Sequence, residues 1–286
     1  MLHLITHTLE HSFLDTITIV PFLLVVFIIL EYIEHSMNNK TIKIIEKSGK
    51  TGPLWGSILG VFPQCGFSAM ATNLFASKII TMGTLVAVYL STSDEMLPIM
   101  ISQKSSAMEI FSIIIIKVII AIIIGFIVDF AFKPESPTVN HIETLCDEDH
   151  CDCEHHSPII SALHHTLKIT LIIMAVSFVL TFVIESFGEE SLSTMVQSAG
   201  IFAPIVAGVV GLIPNCAASV IITQLYIAGT ISLGTTMAGL LASSGIGWII
   251  LFRLNKNLKE NFKLLSIVYS SAVICGILID LFKITI

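Results

Sequence analysis

The stretch Gly60-Val-Phe-Pro-Gln-Cys65 returns 151 residues later as Gly211-Leu-Ile-Pro-Asn-Cys216, and this pair decides how the chain is organised. The same shift aligns further prolines, glycines and acids, namely Pro53 with Pro204, Gly83 with Gly234, Gly125 with Gly276, Glu34 with Glu185 and Asp129 with Asp280. Because the matches fall on these residue types rather than on leucine and isoleucine, shared apolar composition does not explain them. The sequence therefore predicts one structural unit that occurs twice.

The composition is that of a membrane protein. The chain has 286 residues, of which 54% are hydrophobic and 12% charged, whereas a soluble domain carries about 25% charged residues. Apolar runs at 107–132 and 163–186 exceed the roughly 18 residues that a bilayer core demands. These values indicate a polytopic membrane protein. They exclude a soluble enzyme, a nucleic-acid-binding protein and a secreted disulfide scaffold.

A polar segment separates the two copies. It starts at Lys133-Pro-Glu-Ser-Pro137 and ends at Ser157-Pro158. Polar, proline-bounded segments of this kind mark linkers. We therefore predict a first repeat over 1–133, a linker over 134–162 and a second repeat over 163–286.

Loop charge predicts that the two repeats have opposite orientations. Loop 36–52 carries four lysines, whereas its partner, 187–200, carries Glu189 and Glu190 and no base. Loop 253–263 is also rich in Lys and Arg. Because basic loops stay in the cytoplasm, the first and third of these loops are expected inside and the second outside. The repeats are then inverted, both termini are extracellular and the linker is cytoplasmic.

Each repeat also holds a segment that is too short to cross twice. Residues 53–78 provide roughly one crossing length, since about 20 helical residues span the bilayer core. They are expected to form a re-entrant helical hairpin with its tip at Pro63-Gln-Cys-Gly66. The following segment, 79–101, would cross once, with a break at Ser91-Thr-Ser-Asp-Glu95.

The second repeat carries the same pattern, with a hairpin tip at Pro214-Asn-Cys216 and a break at Ala242-Ser-Ser-Gly245. The predicted fold is all-α and polytopic. It consists of two inverted repeats, each with three crossings and a re-entrant hairpin, which gives about ten helical segments.

Inverted repeats with broken helices at membrane depth are typical of secondary transporters, whose binding site lies at the breaks. The alternative is that the prolines only kink packed helices. The recurrence of proline, cysteine and a carboxamide at both tips favours a transport site. Its predicted residues come from the tips and breaks: Gln64, Cys65, Ser68, Ser93, Asp94, Glu95, Asn215, Cys216, Ser219, Ser243 and Ser244.

Charged residues inside apolar crossings point most directly to function. Asp94 and Glu95 each cost about 2.5 kcal/mol or more when unpaired at membrane depth, and the second repeat has Gly245 and Ile246 in their place. A cation site or a proton relay would explain the acids, and hydration near the outer interface is the alternative. Lys117 is predicted to act as a counter-charge for Asp94, Glu95 or Asp129, or for an anionic substrate.

Cysteines and the remaining acids allow two interpretations each. Cys65 and Cys216 are candidate ligands for a soft metal, although a buried free cysteine is also an ordinary apolar residue. Glu34 and Glu185 close the first helix of each repeat. They form either a polar helix end or an entrance and coupling site.

The linker is rich in thiol and imidazole groups, which favour Zn²⁺, Cu⁺ and similar ions. It is too short and irregular for a zinc finger, so we predict metal capture or sensing, with a solvated acidic tether as the alternative. The residues concerned are Cys146, His150, Cys151, Cys153, His155 and His156.

These motifs together resemble a family of ten-transmembrane heavy-metal exporters, which is related to arsenic-efflux permeases and often labelled as manganese transporters. The resemblance covers nearly the whole chain and is carried by Glu31-Tyr-Ile-Glu-His35, Phe62-Pro-Gln-Cys-Gly66, Ser91-Thr-Ser-Asp-Glu95, Gly211-Leu-Ile-Pro-Asn-Cys216 and the Cys/His linker. It implies a bacterial or archaeal cytoplasmic membrane and export of a divalent metal of the Mn, Zn or Cd class, coupled to protons or sodium. The implied metal ligands are Asp94, Glu95, Cys65 and Cys216.

Other functions stay open at this stage. Hard oxygen ligands suit Mn²⁺ and thiols suit Zn²⁺, Cd²⁺ or arsenite. The chain could instead carry an anion, a metalloid such as arsenite or an organoarsenical, or a small organic solute at the half-helix ends, with Lys117 as its charge partner. An intramembrane thiol enzyme would need a base near Cys65 or Cys216, and the sequence offers no histidine there. We expect no enzyme activity, no cofactor and no nucleic acid partner; lipids and the metal ion are the expected partners, and a homodimer is allowed.

The topology makes the first testable prediction. Cysteines introduced at Lys43 and Lys256 should resist an impermeant thiol reagent applied from outside. A cysteine at Glu189 should react, because of these three loops only 187–200 is expected outside. Labelling of intact cells checks this, with permeabilised cells as the control for reactivity. The opposite pattern, with the first two labelled and the third protected, would contradict inverted repeats.

Overall fold

A computed structural model describes residues 51–62, 65–92, 95–132 and 189–283, together with isolated helical positions between 20 and 28 and between 163 and 182. Within these ranges the regular structure is helical, with no strand. The predicted all-α fold class is therefore confirmed.

The described helices fall into two similar series. The first consists of α1 (Gly52–Gly60), α2 (Cys65–Ala76), α3 (Met82–Ser91), α4 (Met96–Ser102) and α5 (Ala107–Ala131). The second consists of α6 (Glu189–Ser198), a 3₁₀ turn (Gly200–Phe202), α7 (Ala203–Gly211), α8 (Cys216–Ile227), α9 (Leu233–Ala242), α10 (Gly247–Leu254) and α11 (Leu258–Leu281). The first residues of α1 to α5 lie 151 positions before those of α7 to α11, the shift that aligns the motifs.

Local signals explain why the paired helices begin at equivalent positions. Pro53 and Pro204 lie in the first turn of α1 and α7, where proline costs no intrahelical hydrogen bond. Thr81 and Ser232 precede α3 and α9, and their side-chain oxygens accept from the backbone N–H of the third helical residue at 3.1 Å. These N-caps satisfy donors that would otherwise be left unpaired at a helix start.

Small residues allow α1 and α3 to pack closely, as they do in many membrane proteins. Gly52, Gly56 and Gly60 recur every fourth position along α1. A Cβ added at Gly56 would lie 3.1 Å from the Thr84 carbonyl oxygen, and one at Gly60 would lie 2.8 Å from the Val88 carbonyl oxygen. The glycines therefore bring the backbones of the two helices into contact.

The end of the long helix in each series caps the start of a neighbouring helix. In the first, Asp129 of α5 accepts hydrogen bonds from the Gly83 N–H at 2.8 Å and from the Thr81 hydroxyl at 2.7 Å. In the second, Asp280 of α11 makes the equivalent bonds to Gly234 at 2.9 Å and to Ser232 at 2.8 Å. A carboxylate at a helix N-terminus is stabilised by the helix dipole and by the free N–H groups.

The two series pack against each other crosswise: α2 contacts α10, α8 contacts α4, and α3 contacts both α9 and α11. An ion pair joins Lys78, after α2, to Glu260 in the first turn of α11, with Nζ and Oε1 3.4 Å apart. The Lys263 ammonium lies 3.3 Å from the centroid of the Phe132 ring. The C-terminal end of α5 therefore lies beside the N-terminal end of α11.

In the described part of the chain, three segments are long and apolar enough to cross a membrane: Ala107–Ala131, Leu233–Leu254 and Leu258–Leu281. The second of these contains α9, α10 and the break between them. The first and third present rows of exposed large side chains, including Phe111, Ile115 and Ile119 on α5. This apolar surface is what lipid contact requires, and the chain is a membrane protein.

The aspartate caps lead to the second prediction. Asp129→Asn and Asp280→Asn should each destabilise the protein by about 1–3 kcal/mol, because each removes the charge from a pair of hydrogen bonds to a carboxylate. The double variant should show nearly the sum of the two losses, since the caps share no partner. Thermal unfolding in detergent measures this, with the exposed Lys259→Gln as control. Unchanged midpoints in both single variants would contradict the capping role.

Candidate functional site

The candidate site lies where the interrupted helices of the two series meet. The first break follows α3, which ends at Ser91, and precedes α4, which starts at Met96. The second break, residues 243–246, separates α9 from α10. Because α2 packs on α10 and α8 packs on α4, each break is flanked by a helix of the other repeat.

Lys117 connects the first break to the second repeat. It lies near the middle of α5 and its side chain is completely buried. Its ammonium donates hydrogen bonds to the carbonyl oxygen of Thr92, which ends α3, and to that of Leu240 in α9 at 3.1 Å. A buried charge is tolerated only with such partners. The positive charge therefore sits at the carbonyl end of α3, where the helix dipole favours a cation.

This positive charge belongs to only one of the repeats. The position equivalent to Lys117 in α11 is occupied by Val268, which is equally buried. The symmetric scaffold is thus charged asymmetrically at its centre.

A chain of hydroxyl groups runs along the buried side of α2. Thr72 donates to the carbonyl oxygen of Ser68 at 2.6 Å, and its oxygen lies 2.6 Å from the Tyr89 hydroxyl. Because Thr72 has a single hydroxyl proton, Tyr89 is the donor in the second bond. The second repeat keeps only part of this chain, since Thr223 donates to the Ser219 carbonyl at 2.7 Å but Leu240 stands where the first repeat has Tyr89.

The second break is built from small residues and is buried. It contains Ser243 and Ser244, followed by Gly245 with φ +53°, a left-handed backbone conformation that favours glycine. The Trp248 indole, which follows in α10, packs edge-on against the Tyr89 ring with centroids 4.9 Å apart. Gly247 is needed at this contact, because a Cβ there would lie 3.0 Å from the Tyr89 hydroxyl oxygen.

Two polar atoms at this break have no hydrogen-bond partner in the part of the chain that the structure describes. They are the Ser244 hydroxyl, with a side chain at 0% exposure, and the Trp248 indole nitrogen, in a side chain at 3% exposure. A buried donor without an acceptor costs about 1–3 kcal/mol. Buried polar atoms without a partner are rare in native proteins, so these two make the second break a candidate site.

Several residues predicted from the sequence are described, and they lie in different environments. Ser68, Ser219, Ser243 and Ser244 are buried, as expected for a site inside the protein. Glu95 is half-buried and directly precedes α4. Asn215 is half-buried, and its side-chain oxygen accepts from the Ala217 N–H at 3.2 Å. This asparagine therefore caps α8, a role that the sequence did not predict.

The structure does not describe the other predicted residues, or describes their backbone but not their side chains. They are Gln64, Ser93, Asp94, the side chains of Cys65 and Cys216, the acids Glu34 and Glu185, and the linker residues Cys146, His150, Cys151, Cys153, His155 and His156. Among the residues that are described, no group of three or more His, Cys, Asp or Glu side chains is arranged to hold a metal. The predicted ligand set of Asp94, Glu95, Cys65 and Cys216 therefore stays a prediction.

Sequence analysis missed Thr72, Tyr89 and Trp248. Tyr and Trp usually lie at the membrane interface, so their occurrence within the apolar segments 79–101 and 233–254 was the available signal. Thr72 carried a weaker signal, since it follows Ser68 by one helical turn and recurs as Thr223.

Apolar segments long enough to cross a membrane, together with two helix breaks near buried polar groups, define a polytopic membrane protein. Comparison with protein families agrees: the chain matches the family described as "Putative, 10TM heavy-metal exporter" over residues 1–190, 136–246 and 172–285. The chain belongs to this family, and the resemblance found in the sequence is thereby confirmed. Comparison with curated proteins and with solved structures finds no match.

The contacts of Lys117 generate the third prediction. Lys117→Met should speed amide hydrogen exchange in the peptide around residues 90–102, because the Thr92 and Leu240 carbonyls lose their shared donor. Val268→Met, at the equivalent position of α11, serves as the matched control and should leave this peptide unchanged. Hydrogen–deuterium exchange mass spectrometry measures the effect, and equal exchange in the two variants would contradict a connecting role for the lysine.

Proposed function

We propose that the protein is a secondary transporter that exports a divalent heavy-metal ion through a site between the two helix breaks. The observation that carries this proposal is the pair of breaks flanked by helices of the opposite repeat, with the buried Lys117 and buried hydroxyl groups around them. Polar groups at the centre of a membrane protein are costly and are kept where a substrate passes. Broken helices placed in this way form the substrate site of many secondary transporters.

Inverted orientation of the repeats is part of this proposal. The helix α11 corresponds to α5 in the repeat, and the Lys263 contact with Phe132 places the start of one beside the end of the other. Inverted repeats would bring opposite ends of equivalent helices together, so this contact supports the proposal. The ion pair between Lys78 and Glu260 supports the same arrangement, because it places the end of α2 beside the start of α11.

Re-entrant hairpins are proposed for α1–α2 and α7–α8. The helices of each pair have 9 and 12 residues, which correspond to lengths of about 14 and 18 Å. Neither length reaches the roughly 30 Å of the hydrocarbon core. Short helices that enter and leave on one side would place the Pro-x-Cys tips near the midplane.

Chemistry at the first break supports a cation as cargo. Glu95 and its neighbour Asp94 supply carboxylates, with Gln64 and Asn215 as further oxygen donors, and oxygen ligands suit Mn²⁺. Participation of Cys65 and Cys216 would shift the preference toward Zn²⁺ or Cd²⁺. A proton or sodium ion is proposed as the coupling ion, with Glu34 and Glu185 as entrance groups, and the linker is proposed to capture the metal in the cytoplasm.

A second candidate is a carrier for an anion, a metalloid or a small organic solute. Two observations favour it: the buried ammonium of Lys117 and the unpartnered donors of the second break. Both kinds of group would attract negative charge or oxygen acceptors.

The fourth prediction separates these candidates. In proteoliposomes, Asp94→Asn and Glu95→Gln should each lower metal transport by at least about tenfold, a change equivalent to 1.4 kcal/mol, because the amides keep the shape and remove the charge. Cys65→Ser and Cys216→Ser should impair Cd²⁺ transport more than Mn²⁺ transport, since only the softer ion prefers thiolates.

Glu189→Gln, a charge removal in α6 away from the breaks, is the control for this experiment. Gel filtration of each variant establishes that it is folded. Normal metal transport by both amide variants would contradict the role of Asp94 and Glu95. Absence of metal transport by the unaltered protein, together with uptake of arsenite or of an anion, would overturn the metal-export proposal in favour of the second candidate.

A further inference from the structure

The second break holds hydrogen-bond donors that the described protein leaves without acceptors. The indole N–H of Trp248 can only donate, and the Ser244 hydroxyl can donate one proton. Both are buried, and neither has a partner in the described ranges. The segment 233–254 around them contains no Asp or Glu. A group that accepts hydrogen bonds is therefore what this position lacks.

The helix that follows the break adds to this donor character. The α10 helix spans eight residues from Gly247, and the Ile250 N–H is bonded to the Ile246 carbonyl at 3.2 Å. The Gly247 N–H is bonded to the Ser244 carbonyl at 3.1 Å, so the first-turn donors to be considered are the N–H groups of Trp248 and Ile249. First-turn N–H groups have no acceptor within the helix, and they carry partial positive charge. Ser244 precedes this turn and Trp248 lies within it, so side-chain and backbone donors occur at the same helix start.

The neighbouring hydroxyl of Tyr89 does not remove this deficit. This hydroxyl is hydrogen-bonded to Thr72 and lies near Gly247, but neither the Trp248 indole nitrogen nor the Ser244 hydroxyl is bonded to it. The ring packs edge-on against the indole of Trp248. This contact fixes the indole plane while its N–H stays without a partner.

We infer that the second break binds a small inorganic anion, which accepts hydrogen bonds from Ser244, Trp248 and the first turn of α10. This inference rests on the proposed function, because the anion would occupy the half of the transport site opposite the carboxylates at the first break. A metal cation near Glu95 and an anion near Ser244 would attract each other. The cargo is then a cation together with an anion, which lowers the net charge that the protein carries through the membrane.

Entry of the anion requires the break to open. Ser244 and Trp248 are covered by protein in the described conformation, so the site is closed. Gly245 has φ +53°, and Gly247 carries no side chain beside Tyr89. Both glycines lie between the two donors, where the backbone has conformational freedom that other residues lack.

The chain offers a direct reporter for this site, because Trp55 and Trp248 are its two tryptophans. In Trp55→Phe, all indole fluorescence comes from Trp248. Sodium iodide, which quenches indole on contact, is titrated against sodium gluconate at constant ionic strength. We expect quenching that saturates and that chloride reverses by competition. Addition of Mn²⁺ or Cd²⁺ should increase the apparent iodide affinity.

Substitutions at Ser244 test the donor role. In the Trp55→Phe background, Ser244→Ala should weaken iodide binding by about tenfold, the effect of losing one hydrogen bond to a charged group. Ser244→Thr keeps the hydroxyl and should bind iodide normally, and Ser266→Ala on α11 is the remote serine control. Acrylamide, a neutral quencher, should quench Trp248 equally in all of these proteins.

Iodide quenching that rises linearly, with the same slope in Ser244→Ala and in the control, would overturn the inference. The inference would also be overturned if chloride reduced the quenching of Trp248 by iodide and by acrylamide equally. That result would mean that chloride changes the accessibility of the indole and does not compete for an anion site. Metal transport separates this failure from failure of the proposed function. Saturable iodide binding by a protein that transports no metal would contradict metal export alone, and metal transport that depends on Glu95 without an iodide site would contradict the anion alone.

Discussion

A helix that breaks inside a membrane frees backbone groups where water cannot reach them, and this constraint governs the centre of the protein. At the first break, the carbonyl of Thr92 is satisfied by the ammonium of Lys117, which also reaches the Leu240 carbonyl of the other repeat. One buried charge therefore stabilises a break and ties two repeats together. Without such a partner the interruption would cost several kcal/mol, and the helix would be expected to continue. The helix can therefore be interrupted only where a partner such as Lys117 satisfies the freed backbone groups.

The scaffold is symmetric while its chemistry is not. Paired helices begin at equivalent residues, and the caps made by Asp129 and Asp280 are nearly identical in geometry. These elements carry the packing that both halves need. The departures from symmetry lie at or near the breaks. Glu95 of the first repeat is replaced by Ile246 at the equivalent position of the second, and Tyr89 is replaced by Leu240. The duplicated helices are shared by both repeats. A few central positions differ, so that the first break has the carboxylate of Glu95 and the second break has none at the equivalent position.

Close backbone contact is the second condition on the fold. The glycines of α1 bring it against α3, and Gly83 and Gly125 do the same between α3 and α5, where an added Cβ at Gly83 would lie 2.5 Å from the Asp129 carboxylate carbon. In a bilayer, where the hydrophobic effect does not drive helices together, such van der Waals contact and interhelical hydrogen bonds provide the association energy.

The sequence by itself determined the class of protein, the duplication and the places where helices start and stop. These features follow from local rules: apolar length, prolines in first turns, Thr81 and Ser232 as caps, and small residues at the breaks. The tertiary structure decided which distant groups meet. The sequence marked Lys117 as a counter-charge but gave no hint that two carbonyls bind it, and it gave no reason to connect Tyr89 with Trp248 or Asp129 with Gly83. Periodicity and composition report on neighbours along the chain, whereas these contacts join residues from 25 to 159 positions apart. Packing of whole helices sets such contacts, and no local pattern encodes them.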